Sequence, residues 1–167
     1  SKLLNVFPEL FGVIEDQLIH SVNELSYSHD LYFVSLPHGE SLKYIPTLLD
    51  KGIKVIDLGG DFRLDNKELY NEWYGFEHTS AYLLSQKVYG LADVVKTKLV
   101  KTNFISNPGC YPTSIQLALI PFIKYFANNI VTISSVSYSG TSGAGKSAKT
   151  ELLLAELDGN VKAYNVN

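Results

Sequence analysis

Four short segments carry residue types able to do chemistry, and each lies where a strand or helix pattern gives way to a turn. Asn107-Pro108-Gly109-Cys110-Tyr111-Pro112-Thr113 holds the one cysteine of the chain. It separates a strand pattern ending at Ser106 from an apolar helical pattern running from about Pro112 to Phe126. A thiol at that junction faces the unpaired N–H groups and the positive dipole end of the helix. Both favour thiolate over thiol. Gly109 allows close backbone approach to a substrate, and the same N–H groups would stabilise an oxyanion on an attacked carbonyl. The plain alternative for a lone cysteine is a buried structural side chain.

Gly140-Thr141-Ser142-Gly143-Ala144-Gly145-Lys146-Ser147 matches the phosphate-loop pattern G-x-x-x-x-G-K-S letter for letter. Taken alone it points to a nucleotide triphosphatase or kinase. Against that, a strand-helix-strand unit and the cysteine segment come first, and no acidic magnesium ligand follows. The residues before the loop also alternate instead of forming a continuous apolar run. A glycine loop at a helix N-terminus holds any phosphate, including that of a dinucleotide, and a simple turn with a helix cap is the bland reading. Leu36-Pro37-His38-Gly39 ends another strand pattern, at the place where ligands bind in open α/β sheets, although His38 is equally at home as an ordinary turn residue. Asp57-Leu58-Gly59-Gly60-Asp61-Phe62-Arg63-Leu64 follows a further strand. Arg63 offers a planar fork for a carboxylate or phosphate, or else a structural ion pair with Asp61 or Asp65.

The elements that must position these segments read as α/β. Leu31 to Leu36 is a short apolar run, expected as a buried parallel strand. Ser41 to Asp50 has helical spacing, closed by Gly52, and Ile53 to Leu58 is a second strand, completing a βαβ unit. Asp65 to Tyr89 is aromatic and polar, expected as short helices and loops over the sheet edge. Leu99 to Ser106 contains another strand. Pro121 is expected to kink the helix after Cys110. Ile130 to Ser139 reads as a strand whose alternation slips at Ser134-Ser135, the sign of a bulge, and Ser147 to Leu157 reads as a helix ending before Gly159.

Composition excludes several classes. The net charge is −3 and the 14 Lys and Arg residues are scattered, so nucleic acid is not an expected partner. A single cysteine forbids an internal disulfide and fits a reducing, cytoplasmic setting. Thr102 to Ile123 has no charged residue, but its three prolines, two asparagines and glycine do not suit a lipid-facing helix. It is expected as a buried loop and helix, and no membrane association is expected. The chain contains no methionine and no signal-peptide pattern, and is expected to be a fragment of a longer protein.

Taken together, LPHG, VIDLGGDFRL, the Trp73-Tyr74-Gly75 segment, VYGL (Val88 to Leu91), NPGCYPT and SGTSGAGKSAK resemble, in this order, the N-acetyl-γ-glutamyl-phosphate reductase family. The resemblance covers nearly the whole chain, and NPGCYPT argues for this family over aspartate-semialdehyde dehydrogenase, which shares fold and mechanism. It implies an NADP-linked enzyme of arginine biosynthesis that acts on a small acyl-phosphate substrate, with no metal and as a homo-oligomer. Carried over, Cys110 is the nucleophile. Pro37, His38 and the loop Ser142, Gly143, Ala144 and Gly145 lie against the cofactor, and Arg63, Tyr89 and Asn107 are candidates for substrate contacts. The implied fold is a partial Rossmann-type parallel sheet over 1–106, the later part of a dinucleotide-binding domain, followed over 107–167 by the start of an α+β substrate domain. The family's glycine-rich fingerprint and its catalytic histidine segment are not in the sequence. The isolated chain is therefore expected to be inactive, with an exposed sheet edge or a partner covering it.

Overall fold

The computed structural model describes residues 1–144, 150 and 153–163. Its chain divides into two compact units, Ser1–Thr113 and Ser114–Asn167. The first is organised by a sheet of Leu31–Val34 (β1), Lys54–Asp57 (β2), Val88–Tyr89 (β3) and Phe104–Ser106 (β4), in the order β1-β2-β4-β3. Every adjacent pair is parallel. The strands are short and rich in Val, Ile and aromatic residues, which suit a pleated, half-buried surface. Because all four run the same way, their carboxyl ends share one edge of the sheet.

A four-residue helix at Leu3–Val6 (α1) precedes the sheet. The face of the sheet carrying Val34, Val55 and Phe104 packs against the helix Ile45–Asp50 (α2), through Ile45 and Leu48. Phe62, Tyr70, Leu83 and Leu84 complete this core. A 3-10 turn at Ser41–Lys43 precedes α2, so the expected single helix over Ser41 to Asp50 is divided in two. Pro46 explains the break: its ring occupies the first turn of α2 and removes a backbone donor. Gly52 follows with φ +75 and donates its N–H to Leu49 O at 2.9 Å, ending the helix as its position predicts.

On the other face, Leu31 and Phe33 of β1 stay exposed, Phe33 at 65%. The expectation that this run is buried on both sides is corrected here. Leu31 and Phe33 point to the face opposite α2, where no layer covers them among the described residues. Asp65 to Tyr89 holds the expected short elements, a helix at Leu69–Tyr74 (α3) and a 3-10 turn at Ala81–Leu83. It also ends in β3, which its two-residue length concealed from periodicity. The helix Ala92–Leu99 (α4) joins β3 to β4.

A longer helix, Cys110–Phe126 (α5), begins two residues before the expected start and continues through Pro121. None of its residues is buried, which corrects the expectation of a buried apolar helix. In the second unit, Ile130 to Ser139 forms no strand, and Val131, Val136 and Tyr138 are 97%, 82% and 79% exposed. Alternation alone does not make a strand: its N–H and C=O groups need a neighbouring strand to pair with, and none lies beside it among the described residues. Instead Ile133 and Tyr138 line a groove with Ser114, Ile115, Ala118 and Leu119 of α5. Gly140 leads into a 3-10 turn at Thr141–Ala144, and a short helix occupies Leu154–Leu157 (α6). Gly145, Lys146 and Ser147 lie outside the described residues, as do 148, 149, 151 and 152 of the expected Ser147 to Leu157 helix. Among the described residues, no helix is long and apolar enough to cross a membrane.

Candidate active site

Parallel strands explain why segments far apart in sequence meet. β1 delivers Pro37 and His38, β2 delivers Leu58 to Arg63, β3 delivers Gly90, and β4 delivers Asn107 to Cys110 to the same edge of the first unit. Cys110 is the first residue of α5, free and exposed. The N–H of Thr113 donates to Gly109 O at 3.0 Å, closing the first turn over the cysteine. Cys110 lies before the first bonded position of the helix, the end at which backbone N–H groups face outward. The thiol thus stands where the sequence places it, at a strand-to-helix junction, and the buried alternative does not apply.

The loop carrying the thiol is held from both sides. Asn107 donates its N–H to Asp57 O at 2.7 Å, which extends the β2–β4 ladder by one bond. Arg63 Nε donates to Asn107 O at 2.9 Å, and Arg63 Nη2 donates to Leu58 O at 2.9 Å. A Cβ on Gly109 would lie 3.2 Å from Arg63 Nη1. Arg63 makes no ion pair with Asp61 or Asp65 among the described residues; Asp65 pairs with Lys87 instead. The Asn107 side chain donates to Pro108 O at 3.1 Å. Tyr89 is half-buried in β3, in register with Ser106.

The turn after β1 has its own anchor. Asp61 is buried, and its carboxylate accepts from Gly39 N at 2.9 Å, Ser41 N at 3.1 Å and Ser41 Oγ at 2.6 Å. Gly39 has φ +83, a conformation other residues rarely adopt, so the turn requires glycine. His38 stays exposed, with Nδ1 3.9 Å from Asp61 Oδ1 and its ring edge-on to Tyr74 at 4.9 Å. Gly60 fits beneath: a Cβ there would come within 2.4 Å of Tyr74 Cε1 and 2.9 Å of His38 Cε1.

Two buried groups that sequence reasoning passed over support this edge. His78 donates from Nε2 to Asp61 O at 2.8 Å among the rings of Phe62, Tyr70 and Phe76. Its burial pushes its pKa down, against the opposing pull of its bond to Asp61. Asp57 is fully buried, and burial pushes its pKa up to about 6 against the opposing bond from Gly59 N. Among the described residues its Oδ2 has no partner, nor has Ser106 Oγ opposite it in the register. Asp57 and Asp61 lie in a segment the sequence singles out, but no local pattern distinguishes His78.

The region 8–102 matches the family described as "Semialdehyde dehydrogenase, NAD binding domain", more than half of the chain. The chain belongs to the semialdehyde dehydrogenase family. Residues 110–167 match the accompanying "Semialdehyde dehydrogenase, dimerisation domain". Proteins named N-acetyl-gamma-glutamyl-phosphate reductase are similar along most of the chain. That of Ruthia magnifica is 38% identical over 165 residues, covering 99% of this chain and 48% of that protein. That of Desulfotalea psychrophila is 42% identical over 167 residues, covering 98% and 47%. That of Magnetococcus marinus is 43% identical over 137 residues, covering 82% and 39%. The chain therefore spans about half the length, or less, of these relatives.

A nicotinamide dinucleotide, the ligand class of the matched semialdehyde dehydrogenase domain, suits the strand-end edge. Pro37, His38 and Leu58 are exposed at neighbouring strand ends, the position where dinucleotides lie across parallel sheets. In the second unit, Ser142 and Gly143 are exposed in the Thr141–Ala144 turn.

Proposed function

We propose that this chain is part of an NADP-dependent N-acetyl-γ-glutamyl-phosphate reductase, with Cys110 as its nucleophile. The observation that carries the reading is the free, exposed Cys110 at the first residue of a 17-residue helix, directly beyond a parallel strand. The names of the similar proteins supply the substrate class.

In this reading the Cys110 thiolate attacks the acyl carbon of the acyl phosphate, the carbon–oxygen bond to phosphate breaks, and inorganic phosphate leaves. An enzyme thioester remains, as covalent catalysis through an activated thiol requires. The Cys110 N–H at the start of α5 donates to the oxyanion of each tetrahedral species. A bound nicotinamide dinucleotide would supply the hydride that reduces this thioester. Expulsion of the Cys110 thiolate then yields the aldehyde, and the thiolate is ready for another cycle. Pro37 and His38 hold the dinucleotide at the strand ends of the first unit, and Ser142, Gly143, Ala144 and Gly145 are the sequence candidates of the second unit for contacting it. Arg63 Nη1, Tyr89 and Asn107 are the candidates to face the substrate. The 1–106 portion serves the cofactor and the 107–167 portion begins the substrate and oligomer-forming region. The assembly is a homo-oligomer in the cytoplasm, and the pathway is arginine biosynthesis.

The test follows NADP reduction by the full-length protein with N-acetyl-glutamate semialdehyde and inorganic phosphate, the reverse reaction. Phosphate-dependent reduction that vanishes in Cys110→Ser supports the reading. ATP hydrolysis that depends on Lys146, without such reduction, replaces it with the phosphate-loop alternative.

A further inference from the structure

The segment between β2 and α3 touches both ends of the site. Asp61 fixes the turn that follows β1, through the amides of Gly39 and Ser41. Two residues later, Arg63 reaches the loop that follows β4, 44 positions away in sequence. Phe62 lies between them at 0% exposure, edge-on to Phe104 at 4.9 Å and to His78 at 5.1 Å, which leaves this segment little freedom to shift.

We propose that Arg63 is a positioning residue for the nucleophile, holding the Asn107–Cys110 loop by a two-carbonyl fork. This deepens the reading of Cys110 as the nucleophile and rests on it.

The geometry supplies the reasons. Nε and Nη2 each donate at 2.9 Å to a carbonyl, one at the end of β4 and one at the end of β2. Asn107 thus has its N–H held by Asp57 O and its carbonyl held by Arg63. Both backbone groups of the residue three positions before Cys110 are fixed. A guanidinium is rigid and planar, so its two donors set the separation of the two strand ends; an ammonium is a compact point and cannot do so. Gly109 completes the arrangement, because a Cβ there would sit 3.2 Å from Nη1 and 3.6 Å from Pro112 Cδ. The absent side chain lets the guanidinium lie against the backbone immediately before the thiol. Among the described residues Nη1 is the part of Arg63 left over for a substrate contact. The positioning role belongs to the other two nitrogens.

The test uses the full-length protein as Arg63→Ala, Arg63→Lys and Gly109→Ala. Two things are measured: Cys110 alkylation by iodoacetamide across pH without substrate, and the kcat and KM of the phosphate-dependent reaction. Positioning predicts that all three variants change the alkylation profile. It also predicts a kcat loss of roughly 100-fold, the cost of a misplacement of about 1 Å, with KM for the semialdehyde little altered. Lysine does not restore the loss, since it keeps the charge but not the fork. Added guanidinium ion partly restores Arg63→Ala. A wild-type alkylation profile in Arg63→Ala and Arg63→Lys, with only KM raised, would overturn the proposal and make Arg63 a substrate clamp. Full recovery in Arg63→Lys would also overturn it, leaving a role of charge alone. Should Arg63→Ala not fold, as its melting curve would show, Arg63→Lys and Gly109→Ala decide between the same outcomes. Alkylation needs no substrate, so absence of turnover in the wild type would count against the reductase reading without touching this one.

Discussion

Replacing Asp57 by asparagine should stabilise the protein at neutral pH and leave it unchanged in acid. Asp57 is wholly buried, with one oxygen bonded to Gly59 N at 2.9 Å and the other without a partner among the described residues. Burial raises its pKa from 3.8 to about 6, with Asp61 adding to the rise and Arg63 opposing it. A raised carboxyl pKa means that the folded state holds the proton more tightly than the unfolded state. Below about pH 4 both states are protonated and the group is neutral in its effect. Between about pH 4 and 6 stability falls as pH rises, and above that window the full penalty of a buried charge is present. A shift of this size corresponds to about 3 kcal/mol. Asparagine keeps the acceptor for Gly59 N and offers an N–H toward Ser106 Oγ, so it removes the penalty without opening a hole. The backbone bond from Asn107 N to Asp57 O is unaffected. Urea unfolding of wild type and Asp57→Asn is compared from pH 4 to pH 8. The expected difference is near zero at pH 4 and grows to about 2–3 kcal/mol in favour of the variant by pH 7. His78, whose pKa is pushed down, changes stability in the opposite sense, but it is common to both proteins and cancels. A difference that does not vary with pH, or a variant less stable at pH 8, would refute the reasoning.

Tyr70→Phe should cost about 1–3 kcal/mol, because the Tyr70 hydroxyl accepts from Leu64 N at 2.8 Å and donates to Leu64 O at 3.0 Å; denaturant midpoints at a common slope would show it. Asp61→Asn leaves one of the Gly39 and Ser41 donors facing an amide N–H₂. It should loosen the His38 turn and, on the proposed function, raise KM for the nicotinamide dinucleotide more than it lowers kcat, a split that steady-state kinetics on the full-length protein would read.

How much was legible in advance differs from residue to residue. The cysteine junction was readable because it is local: an apolar run, a Pro-Gly turn and a helical period together fix a strand-to-helix transition, and the thiol sits inside it. The Gly52 helix end and the first two strands were readable for the same reason. Ile130 to Ser139 misled because alternation records only which residues would share a face, not whether a neighbouring strand exists. β3 escaped because two residues carry no period.

Sequence by itself determined the chemistry on offer and the order of the elements: one thiol, an arginine fork, and turns after strands, in a pattern similar to one family. Tertiary structure alone decided which of these meet. Periodicity and turn chemistry act over a few residues, whereas the bond from Arg63 to Asn107 spans 44 positions and exists only because parallel strands bring their carboxyl ends to one edge. The burial of Asp57, the bond from His78 to Asp61 and the placing of β4 between β2 and β3 have the same origin. Each is fixed by packing between segments whose separation along the chain leaves no local trace.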